Sequence, residues 1–517
     1  MLAPSARRNE QLEAPTPIVN LFSLLRDAAT RAPNAPALVT DDRTISYRDA
    51  LAAVERLAAA MHARGVTKGD RVGGLFANTP EHFVAYFAAA RLDAIFVPLN
   101  WRLSEGEMAS VLRHAETKAL VFEREFEGAA AGLSTCVAWT APVDALLADA
   151  QYATPPQPND DPDAVAHLYY TSGTTGNPKG VMLTHGNVGT HAASAVRELQ
   201  LSANDRWAHI APMFHLADAW ATFAITQQAG VHVFLPRFAA VPALDLLERH
   251  RITITNLVPT MLNLMVKEPL AASRTFSLRA MLSGGASIAP EVVKQVIATF
   301  GCTYVQTYGM TETSPYLTLS LLDDALRQLP KDQQLALQCR TGRAFDGVDL
   351  IVVRDDGSPI ACDDKEVGEI RVKGKTVTKG YWRNQEATAA AFDARGYLCT
   401  GDLATIDAHG FVNIVDRKKD VIKTGAETVF STEVENVVYQ HPAVLECAVF
   451  GVPDPLWGEL VAVAVVPRVG MRVDGDELIA FCRARIAHYK APRIVRVMEA
   501  LPKTGSGKIQ KRKLRDA

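Results

Sequence analysis

The sequence predicts a multidomain α/β protein with a small α+β unit at its C-terminal end. At 517 residues, the chain is too long for one compact core, since single cores stop growing at about 250–300 residues. Strand-like and helix-like segments alternate over most of the chain, which is typical of a parallel or mixed sheet flanked by helices. The pattern changes near Asp349 and again at residues 416–420, which indicates two further units.

The first elements are a hairpin, a helix and a βαβ unit. In "ALVTDDRTISYRD", two short apolar runs flank a pair of aspartates, which predicts a β-hairpin. A helical pattern then runs over residues 47–64 and ends before Gly65. "DRVGGLF", "NTPEHFVAYFAAARLD" and "AIFVPLN" predict a strand, a capped helix and a strand. The same alternation recurs later, with a helix predicted at about residues 241–250.

The last third of the chain predicts a β-rich subdomain and a separate C-terminal unit. Short strand patterns and turns follow Asp349. After "DRKKD", the segment "STEVENVVYQHP" predicts a helix opened by a serine or threonine cap. Two strands and a helix over "DGDELIAFCRARIAHYK" complete this unit. We therefore expect an N-terminal domain at 1–417, with its β-rich part at about 340–417, and a C-terminal domain at 418–517.

Composition excludes several classes of protein. The formal net charge is −3, so we expect no electrostatic attraction to nucleic acid or to an anionic membrane. The seven cysteines show no zinc-type spacing and are expected to be reduced thiols. The N-terminus lacks a secretion signal, and no apolar run reaches the length of about 20 residues that a membrane span needs. These observations predict a cytoplasmic protein without integral membrane association.

A loop rich in glycine and hydroxyl residues lies in "YTSGTTGNPKGVMLTHGN", which begins at Tyr170. It is not a P-loop, because Gly180 stands where that motif needs serine or threonine after its lysine. Hydroxyl groups, backbone amides and a lysine suit a phosphate chain that must enter and leave. From composition alone, a solvated turn between a strand and a helix is an equal alternative.

Five motifs in order resemble the AMP-forming acyl-CoA synthetases of the adenylate-forming superfamily, which also includes luciferases and peptide-synthetase adenylation domains. They are "YTSGTTGNPKGVMLTH", "QTYGMTE", "TGD", "DRKKDVIKTG" and "PKTGSGKIQ". The resemblance spans about residues 21–514 and favours the fatty-acyl or aryl (coumarate- or ferulate-type) branch. It implies a large N-terminal domain of two α/β subdomains plus a β-barrel, followed by a small mobile C-terminal domain.

The same resemblance implies a two-step reaction and its nucleotide site. A carboxylate attacks the α-phosphate of ATP to give acyl-AMP and pyrophosphate, and the thiol of coenzyme A then displaces AMP. Glu312 would bind the Mg²⁺ that bridges the phosphates, with Thr311 beside it on the α-phosphate. Tyr308 would stack on adenine, and Asp402 would accept hydrogen bonds from both ribose hydroxyls. Arg417 would make a second contact with the ribose or a phosphate. The remaining ATP and AMP contacts would be Thr171, Ser172, Gly173, Thr174, Thr175, Gly176, Lys179, Gly284, Gly285, Ala286, Gln306 and Thr307. Glu312 as a surface residue and Asp402 as a turn residue are the alternatives.

The C-terminal motifs imply a catalytic lysine, a hinge and a coenzyme A site. Lys508 would contact both the α-phosphate and the attacking carboxylate; the alternative is one member of a solvated basic tail. Lys419 would be the hinge about which the C-terminal domain rotates between the two steps. The coenzyme A tunnel would be lined by Lys423, Thr424 and Gly425. Relatives usually carry Gly-Gly-Glu-Asn where this chain has residues 425–428, and Ala426 and Thr428 depart from that pattern.

The resemblance also implies some of the residues that would form the acyl pocket. His215 matches the gate beside the acyl carbonyl. Amino-acid-activating relatives carry Phe-Asp where this chain has Phe214 and His215, which argues against an amino acid substrate. An apolar wall is predicted from Trp220, Val258, Pro259 and Met310. Because a lone tryptophan or histidine is more often a core residue than a ligand, the core alternative stays open for these positions.

The leading hypothesis is an ATP-dependent, Mg²⁺-requiring acyl-CoA synthetase for a hydrophobic carboxylic acid, either fatty or aryl. One alternative is a freestanding adenylating ligase that loads the phosphopantetheine of a carrier protein. A luciferase-like oxidation is a remote third. A nucleotide-binding regulator without catalysis is the alternative from a different class. The sequence leaves open which acid is activated and whether the protein is a monomer or a homodimer.

Overall fold

The computed structural model describes residues 20–148, 153–171, 179–286, 288–425, 427–503 and 509–516. The strands of these residues form four sheets, of nine, six, four and five strands. The two largest sheets are mixed and are accompanied by helices, whereas the other two are mainly antiparallel. The predicted α/β multidomain class is confirmed.

In chain order, the strands of the described residues are β1 (Pro36–Val39), β2 (Thr44–Ser46), β3 (Arg71–Leu75), β4 (Ile95–Pro98), β5 (Thr117–Phe122), β6 (Trp139–Pro142), β7 (Val165–Thr171), β8 (Lys179–Thr184), β9 (Arg206–His209), β10 (Val231–Phe234), β11 (Ile254–Leu257), β12 (Ala280–Ser283), β13 (Thr303–Gly309), β14 (Tyr316–Leu319), β15 (Arg343–Ala344), β16 (Val348–Val353), β17 (Gly368–Gly374), β18 (Leu398–Ile406), β19 (Val412–Arg417), β20 (Ile422–Thr424), β21 (Glu427–Val429), β22 (Val444–Asp454), β23 (Gly458–Pro467) and β24 (Ile494–Val497).

The α-helices of the same residues are α1 (Phe22–Arg31), α2 (Tyr47–Ala63), α3 (Pro80–Arg91), α4 (Glu105–His114), α5 (Glu127–Leu133), α6 (Val143–Ala148), α7 (His185–Glu198), α8 (Leu216–Gln227), α9 (Ala240–Arg249), α10 (Pro259–Val266), α11 (Pro290–Phe300), α12 (Lys331–Gln338), α13 (Gln385–Ala391), α14 (Ser431–Val438), α15 (Gly475–Arg483) and α16 (Lys511–Arg515).

The six-stranded sheet has the order β6-β5-β3-β4-β7-β8. The predicted βαβ unit is confirmed, because β3 and β4 are parallel neighbours joined by α3. Thr79 caps α3 by accepting a hydrogen bond from the backbone N–H of His82, and Pro80 occupies the first helical position. At the other edge, β7 and β8 are antiparallel.

The nine-stranded sheet has the order β15-β14-β13-β12-β11-β9-β10-β1-β2. The predicted hairpin is the antiparallel pair β1–β2 at one edge. The predicted helix at 47–64 is α2, which Ser46 caps and which ends just before Gly65 (φ +86°). One hydrophobic core joins this sheet to the six-stranded sheet through side chains of α1, α2, α3, α7 and α8. Packing between two sheets therefore fixes the positions of the loops that follow their strands.

The predicted β-rich subdomain is the antiparallel sheet β16-β17-β18-β19. The resemblance implies a β-barrel here. The observed path of strands is open, with β16 and β19 at its edges, and an isolated bridge pairs Gly342 with Val412 of β19.

The C-terminal unit consists of β20–β24 with α14, α15 and α16. The predicted cap of α14 is wrong. Phe430 holds the cap position without a side-chain hydrogen bond, and Ser431 is the first helical residue. The Ser431 hydroxyl donates instead to Asp416 Oδ1 at 3.0 Å, so a contact with β19 replaces the expected helix cap. Helix α15 ends at Arg483, earlier than its sequence pattern predicts.

Helix α16 packs back on the link that precedes the C-terminal unit. Lys511 Nζ lies 2.6 Å from Ser431 Oγ and 2.8 Å from Glu435 Oε1. The Arg515 guanidinium donates to the backbone oxygen of Lys419 and to Asp420 Oδ1, both at 3.3 Å.

Among the described residues, no helix combines the length and the apolar character needed to cross a membrane.

Candidate active site

Tyr308, Asp402 and Arg417 meet where the nine-stranded and four-stranded sheets adjoin. The Tyr308 hydroxyl at the end of β13 donates to Asp402 Oδ2 at 2.6 Å. Arg417 is paired with Asp402 across β18 and β19, and its Nε lies 3.2 Å from Asp402 Oδ1. Asp402 is 6% exposed. Burial, followed by the neighbouring Asp402 carboxylate, raises the pKa of Tyr308. The phenol is therefore a stable donor that orients a carboxylate.

The turn at residues 284–286 lies against the end of β13. Because β12 and β13 are parallel neighbours, the turn after β12 lies beside Gln306 and Thr307. Gln306 Nε2 donates to the backbone oxygen of Ala286 at 3.2 Å. A Cβ at Gly284 would lie only 2.2 Å from Thr307 Oγ1. Gly284 thus permits the backbone of the turn to lie close to Thr307, which directly precedes Tyr308 in β13.

Glu312, Tyr381 and Lys179 form a second cluster. The Tyr381 hydroxyl donates to Glu312 Oε1 at 2.9 Å, and the Lys179 ammonium lies 4.8 Å from the centroid of the Tyr381 ring. Glu312 is 7% exposed and follows β13 in a short 3₁₀ turn, Thr311–Thr313, which also carries the half-buried Thr311. One segment of chain therefore links this cluster to Tyr308.

The predicted phosphate loop begins and ends on paired residues. Thr171 of β7 lies opposite Lys179 of β8. The loop therefore connects antiparallel strands, rather than the strand and helix considered from composition. The predicted contacts Ser172, Gly173, Thr174, Thr175 and Gly176 lie outside the described residues.

The donor set around Glu312 is compatible with a Mg²⁺ ion that arrives with a phosphate chain. Mg²⁺ commonly binds through one or two carboxylates, waters and substrate phosphates. Glu312 offers one such carboxylate, already fixed by Tyr381. Over the described part of the chain, no group of three or more His, Cys, Asp and Glu side chains could hold a metal ion. These residues fit a nucleotide-borne cation rather than a cage built from protein ligands.

Three of the predicted acyl-pocket residues, His215, Val258 and Pro259, lie at the start of a helix. His215 precedes α8 and packs edge-on against Phe214, with 4.7 Å between ring centroids. Val258 lies near the 284–286 turn, since a Cβ at Gly285 would be 3.9 Å from its Cγ1. Pro259 begins α10 directly afterwards.

Trp220 and Met310 complete the predicted wall. Trp220 is fully buried in the core, with its ring centroid 5.0 Å from that of Trp207 and 5.1 Å from that of Tyr316. Met310 is half-buried and packs on the same core. The structure thus places Trp220 as a core residue, and its contribution to an acyl pocket stays a prediction.

The predicted hinge and coenzyme A residues lie on both sides of β20. Lys419 is in the turn directly after β19, while Lys423 and Thr424 belong to β20 and Gly425 follows in the turn to β21. Gly425 has φ +57°, and a Cβ there would lie 2.7 Å from the Trp457 ring. Glycine is therefore required by packing at this position. Ala426 and Lys508 lie outside the described residues.

Tyr381 is the site residue that sequence reasoning missed. It is 69 residues from Glu312 in sequence, and an aromatic residue in a turn gives no local signal of such a contact. The neighbouring backbone shows how it is placed: the Thr378 N–H donates to the backbone oxygen of Glu312 at 2.7 Å, and Tyr381 forms a bridge with Val181 of β8.

Two family profiles and several known proteins match this chain. The AMP-binding enzyme family matches residues 25–382, and the AMP-binding enzyme C-terminal domain matches residues 433–508. A feruloyl-CoA synthase from an Amycolatopsis species is 37% identical, covering 94% of this chain and 96% of that protein. A long-chain-fatty-acid–CoA ligase, FadD13 of Mycobacterium tuberculosis, is 34% identical, covering 96% and 98%.

A solved structure extends the match to three dimensions. The o-succinylbenzoate-CoA synthetase MenE from Bacillus subtilis, in complex with its acyl-adenylate intermediate, superposes with a TM-score of 0.86. It is 32% identical and covers 96% of this chain and 98% of its own. The same protein is also known in complex with ATP and a magnesium ion. The resemblance drawn from the five motifs is confirmed: the chain belongs to the AMP-binding enzymes of the adenylate-forming superfamily, among the acid–CoA ligases.

Proposed function

We propose that this enzyme is an ATP-dependent, AMP-forming acyl-CoA synthetase that activates a hydrophobic carboxylic acid, fatty or aryl. The observation that carries the proposal is the pair of clusters at the two ends of one short segment. Tyr308 holds Asp402 at one end, and Glu312 lies with Tyr381 and Lys179 at the other. A fixed carboxylate suits ribose hydroxyls, whereas a cation and a metal-binding carboxylate suit phosphates.

In the first step, an oxygen of the substrate carboxylate attacks the α-phosphorus of ATP. The new P–O bond replaces the bond to the β-phosphate, and pyrophosphate leaves. The developing charge would be stabilised by Lys508, and the leaving phosphates by Lys179 and the loop between β7 and β8. A bound Mg²⁺ would neutralise phosphate charge, and Glu312 would hold it.

In the second step, the sulfur of coenzyme A attacks the acyl carbonyl carbon. The C–O bond to AMP breaks, AMP leaves with the bonding electrons, and the thiol proton is released to solvent. We assign the hinge for this step to Lys419 and the tunnel to Lys423, Thr424 and Gly425. The close packing of Gly425 on Trp457 supports a constrained path beside β20.

The substrate class follows from the surroundings of His215. The amine of an amino acid substrate would need a carboxylate partner at this position. This chain has the aromatic rings of Phe214 and His215 there instead, which favours an acid without an amine. Two of the predicted wall residues, Val258 and Met310, pack against buried hydrophobic side chains. The names of the two relatives, one for an aryl acid and one for long-chain fatty acids, support a hydrophobic acid without choosing between the two types.

An acid panel with detection of AMP, ADP and pyrophosphate tests this function. The panel should contain ferulate, a long-chain fatty acid, and the matched pair 3-phenylpropanoate and phenylalanine, which differ only by the amine. We expect acid-dependent AMP and pyrophosphate, with 3-phenylpropanoate favoured over phenylalanine. Formation of ADP would contradict the mechanism. Coenzyme A, compared with a phosphopantetheinyl carrier protein as acceptor, should give the faster thioester formation.

A further inference from the structure

The segment that carries His215 is held by side chains of the neighbouring sheet. Residues 210–215 connect β9 to α8 in the nine-stranded sheet. Asn78 lies in the connection between β3 and α3 of the six-stranded sheet and is 3% exposed. Its Nδ2 donates to the backbone oxygens of His209 at 3.1 Å and Ala211 at 2.9 Å, and its Oδ1 accepts from the Met213 N–H at 2.9 Å. Both amide hydrogens of Asn78 are thus used on one segment.

A second contact connects this segment to the strand before the phosphate loop. The hydroxyl of Tyr86, on α3, donates to the backbone oxygen of Met213 at 2.9 Å. The hydroxyls of Tyr86 and Tyr169 are 2.7 Å apart. Since Tyr86 has one hydroxyl proton and donates it to Met213, Tyr169 is the donor in this second bond. Tyr169 lies on β7, two residues before Thr171.

The far end of the segment is fixed by α8 itself. The N–H of Asp218 donates to the backbone oxygen of His215 at 3.1 Å. The Asp218 carboxylate, fully buried, accepts from His209 Nδ1 at 2.5 Å and from Trp207 Nε1 at 3.3 Å. Asn78, Tyr86 and Asp218 therefore fix both ends of the turn that presents His215.

These contacts bear on the geometry of the first reaction step. In the proposed function, His215 lies beside the acid and the loop after β7 holds the phosphates. Attack requires the carboxylate oxygen and the α-phosphorus to be held about 3–3.5 Å apart and in line. A link between the two supporting segments is what such an arrangement needs. An alternative explanation is that Asn78 and Tyr86 only satisfy buried backbone groups of this segment. That need alone would not require the partners to come from the other sheet.

We propose that Asn78, together with Tyr86, is a positioning residue for acid activation. Asn78 fixes the backbone of the segment that carries His215, and Tyr86 links that segment through Tyr169 to β7. The inference rests on the proposed function, and it predicts a specific kinetic signature. Loss of Asn78 should affect use of the acid in the adenylation step more than binding of ATP.

Asn78→Ala and the matched control Asn20→Ala test the proposal. Asn20 is also buried, at 1% exposure, and its side chain makes three hydrogen bonds: to Ala90 of α3, to Asp93 just after α3, and to Phe22 at the start of α1. Acid-dependent pyrophosphate exchange should be measured well below the melting temperature of both variants. We expect Asn78→Ala to lose about tenfold or more in kcat/KM for the acid, since small displacements can cost up to about 100-fold. Its KM for ATP should change less than about twofold. Asn20→Ala should retain wild-type kinetics.

A second pair keeps the test decisive if Asn78→Ala does not fold. Tyr86→Phe removes one hydroxyl but keeps the ring, and should lower kcat/KM for the acid about threefold. Its control is Tyr47→Phe, because Tyr47 is equally buried and also donates to a backbone oxygen, that of Gly230 at 2.6 Å. Equal kinetics within each pair would overturn the proposal.

Hydrogen–deuterium exchange separates this inference from the proposed function. Peptides covering residues 209–215 should exchange faster in Asn78→Ala than in Asn20→Ala. If the wild-type protein activates no acid, the proposed function is overturned and with it any effect of Asn78 on acid activation. Unchanged exchange at 209–215 would overturn the positioning role independently of any activity.

Discussion

The hydroxyl of Tyr308 donates to Asp402 across the boundary between two sheets, at 2.6 Å. Tyr308 lies next to the last residue of β13 in the nine-stranded sheet, and Asp402 lies in β18 of the four-stranded sheet. Arg417 contacts the other carboxylate oxygen of Asp402. The carboxylate is thus oriented before any ligand binds, and it retains lone pairs for two further donors.

Replacement of Tyr308 by phenylalanine should weaken ATP binding while preserving the stacking surface. A hydrogen bond to a charged group is worth about 1.5–3 kcal/mol, and part of it serves to orient Asp402. We expect the KM for ATP to rise about five- to tenfold, with kcat changed less, in steady-state assays. Tyr397→Phe is the matched control, since the Tyr397 hydroxyl also donates to an aspartate, Asp349, on the surface of the same four-stranded sheet. Similar KM values for both variants would contradict this role of Tyr308.

Replacement of Glu312 by glutamine should raise the Mg²⁺ concentration needed for half-maximal activity. The amide oxygen can still accept from Tyr381, so the change removes the charge but not the shape. Titration of pyrophosphate release with Mg²⁺ should show a shift of about tenfold or more. Glu366→Gln, in the connection between β16 and β17 and paired with Arg354, serves as the control. An unchanged Mg²⁺ requirement would remove Glu312 from the metal site.

Replacement of Lys508 by alanine should strongly slow the first half-reaction and largely spare the second. Removing one group that stabilises transition-state charge costs about 3–4 kcal/mol, or roughly 100- to 1,000-fold in rate. Pyrophosphate exchange and thioester formation from supplied acyl-AMP should be measured separately. Lys513 is an exposed residue of α16, so Lys513→Ala removes an equal charge and should change neither rate. Equal losses for the two variants would favour the solvated basic tail.

Replacement of Lys419 by proline should have the opposite effect. Proline fixes φ at about −65°, so it would restrict the turn after β19 through which the C-terminal unit is proposed to rotate. Thioester formation should fall at least about tenfold while pyrophosphate exchange persists. Lys419→Ala keeps the backbone free and should retain both half-reactions. Loss of both half-reactions in Lys419→Pro would argue against a hinge at this position.

The free energy of unfolding should decrease as the pH falls below about 6.5. Burial lowers the pKa of His82, His167 and His191 to about 3 and that of His185 to about 4, and it also lowers the pKa of His232. In the unfolded chain these groups bind protons near pH 6.5, so the unfolded state binds more protons below that pH and is favoured there. Above the unfolded pKa the contribution to stability is fully present.

Urea unfolding at pH 7.5 and 5.5 measures this effect. Each histidine contributes up to about 1.4 kcal/mol per pH unit, so the five together should lower the free energy of unfolding by about 7 kcal/mol at most. Among the described residues, His167 has no hydrogen-bond partner at either ring nitrogen. His167→Phe should therefore reduce the difference between the two pH values by about one fifth. An unchanged difference would contradict the assignment.

Local patterns predicted the elements well where caps and glycines agree with periodicity. Helix α2 was predicted to within one residue because Ser46 and Gly65 mark its ends. The cap of α14 was wrong because Ser431 has a tertiary partner, Asp416, that no local pattern reveals. For the site, the motifs name Glu312 and Asp402 but not Tyr381 or Asn78. Those two residues act through contacts 69 and about 130 residues away in sequence, which only the folded chain defines.

The hydrogen bonds of Asn78 also have a consequence for the order of folding. They join the turn before α8 to a different sheet, so this turn cannot reach its final form until both sheets have formed and docked. Helical circular dichroism should therefore recover earlier in refolding than acid activation does. The recovery of enzymatic activity would then measure the docking of the six-stranded sheet on the nine-stranded sheet, rather than the formation of either sheet.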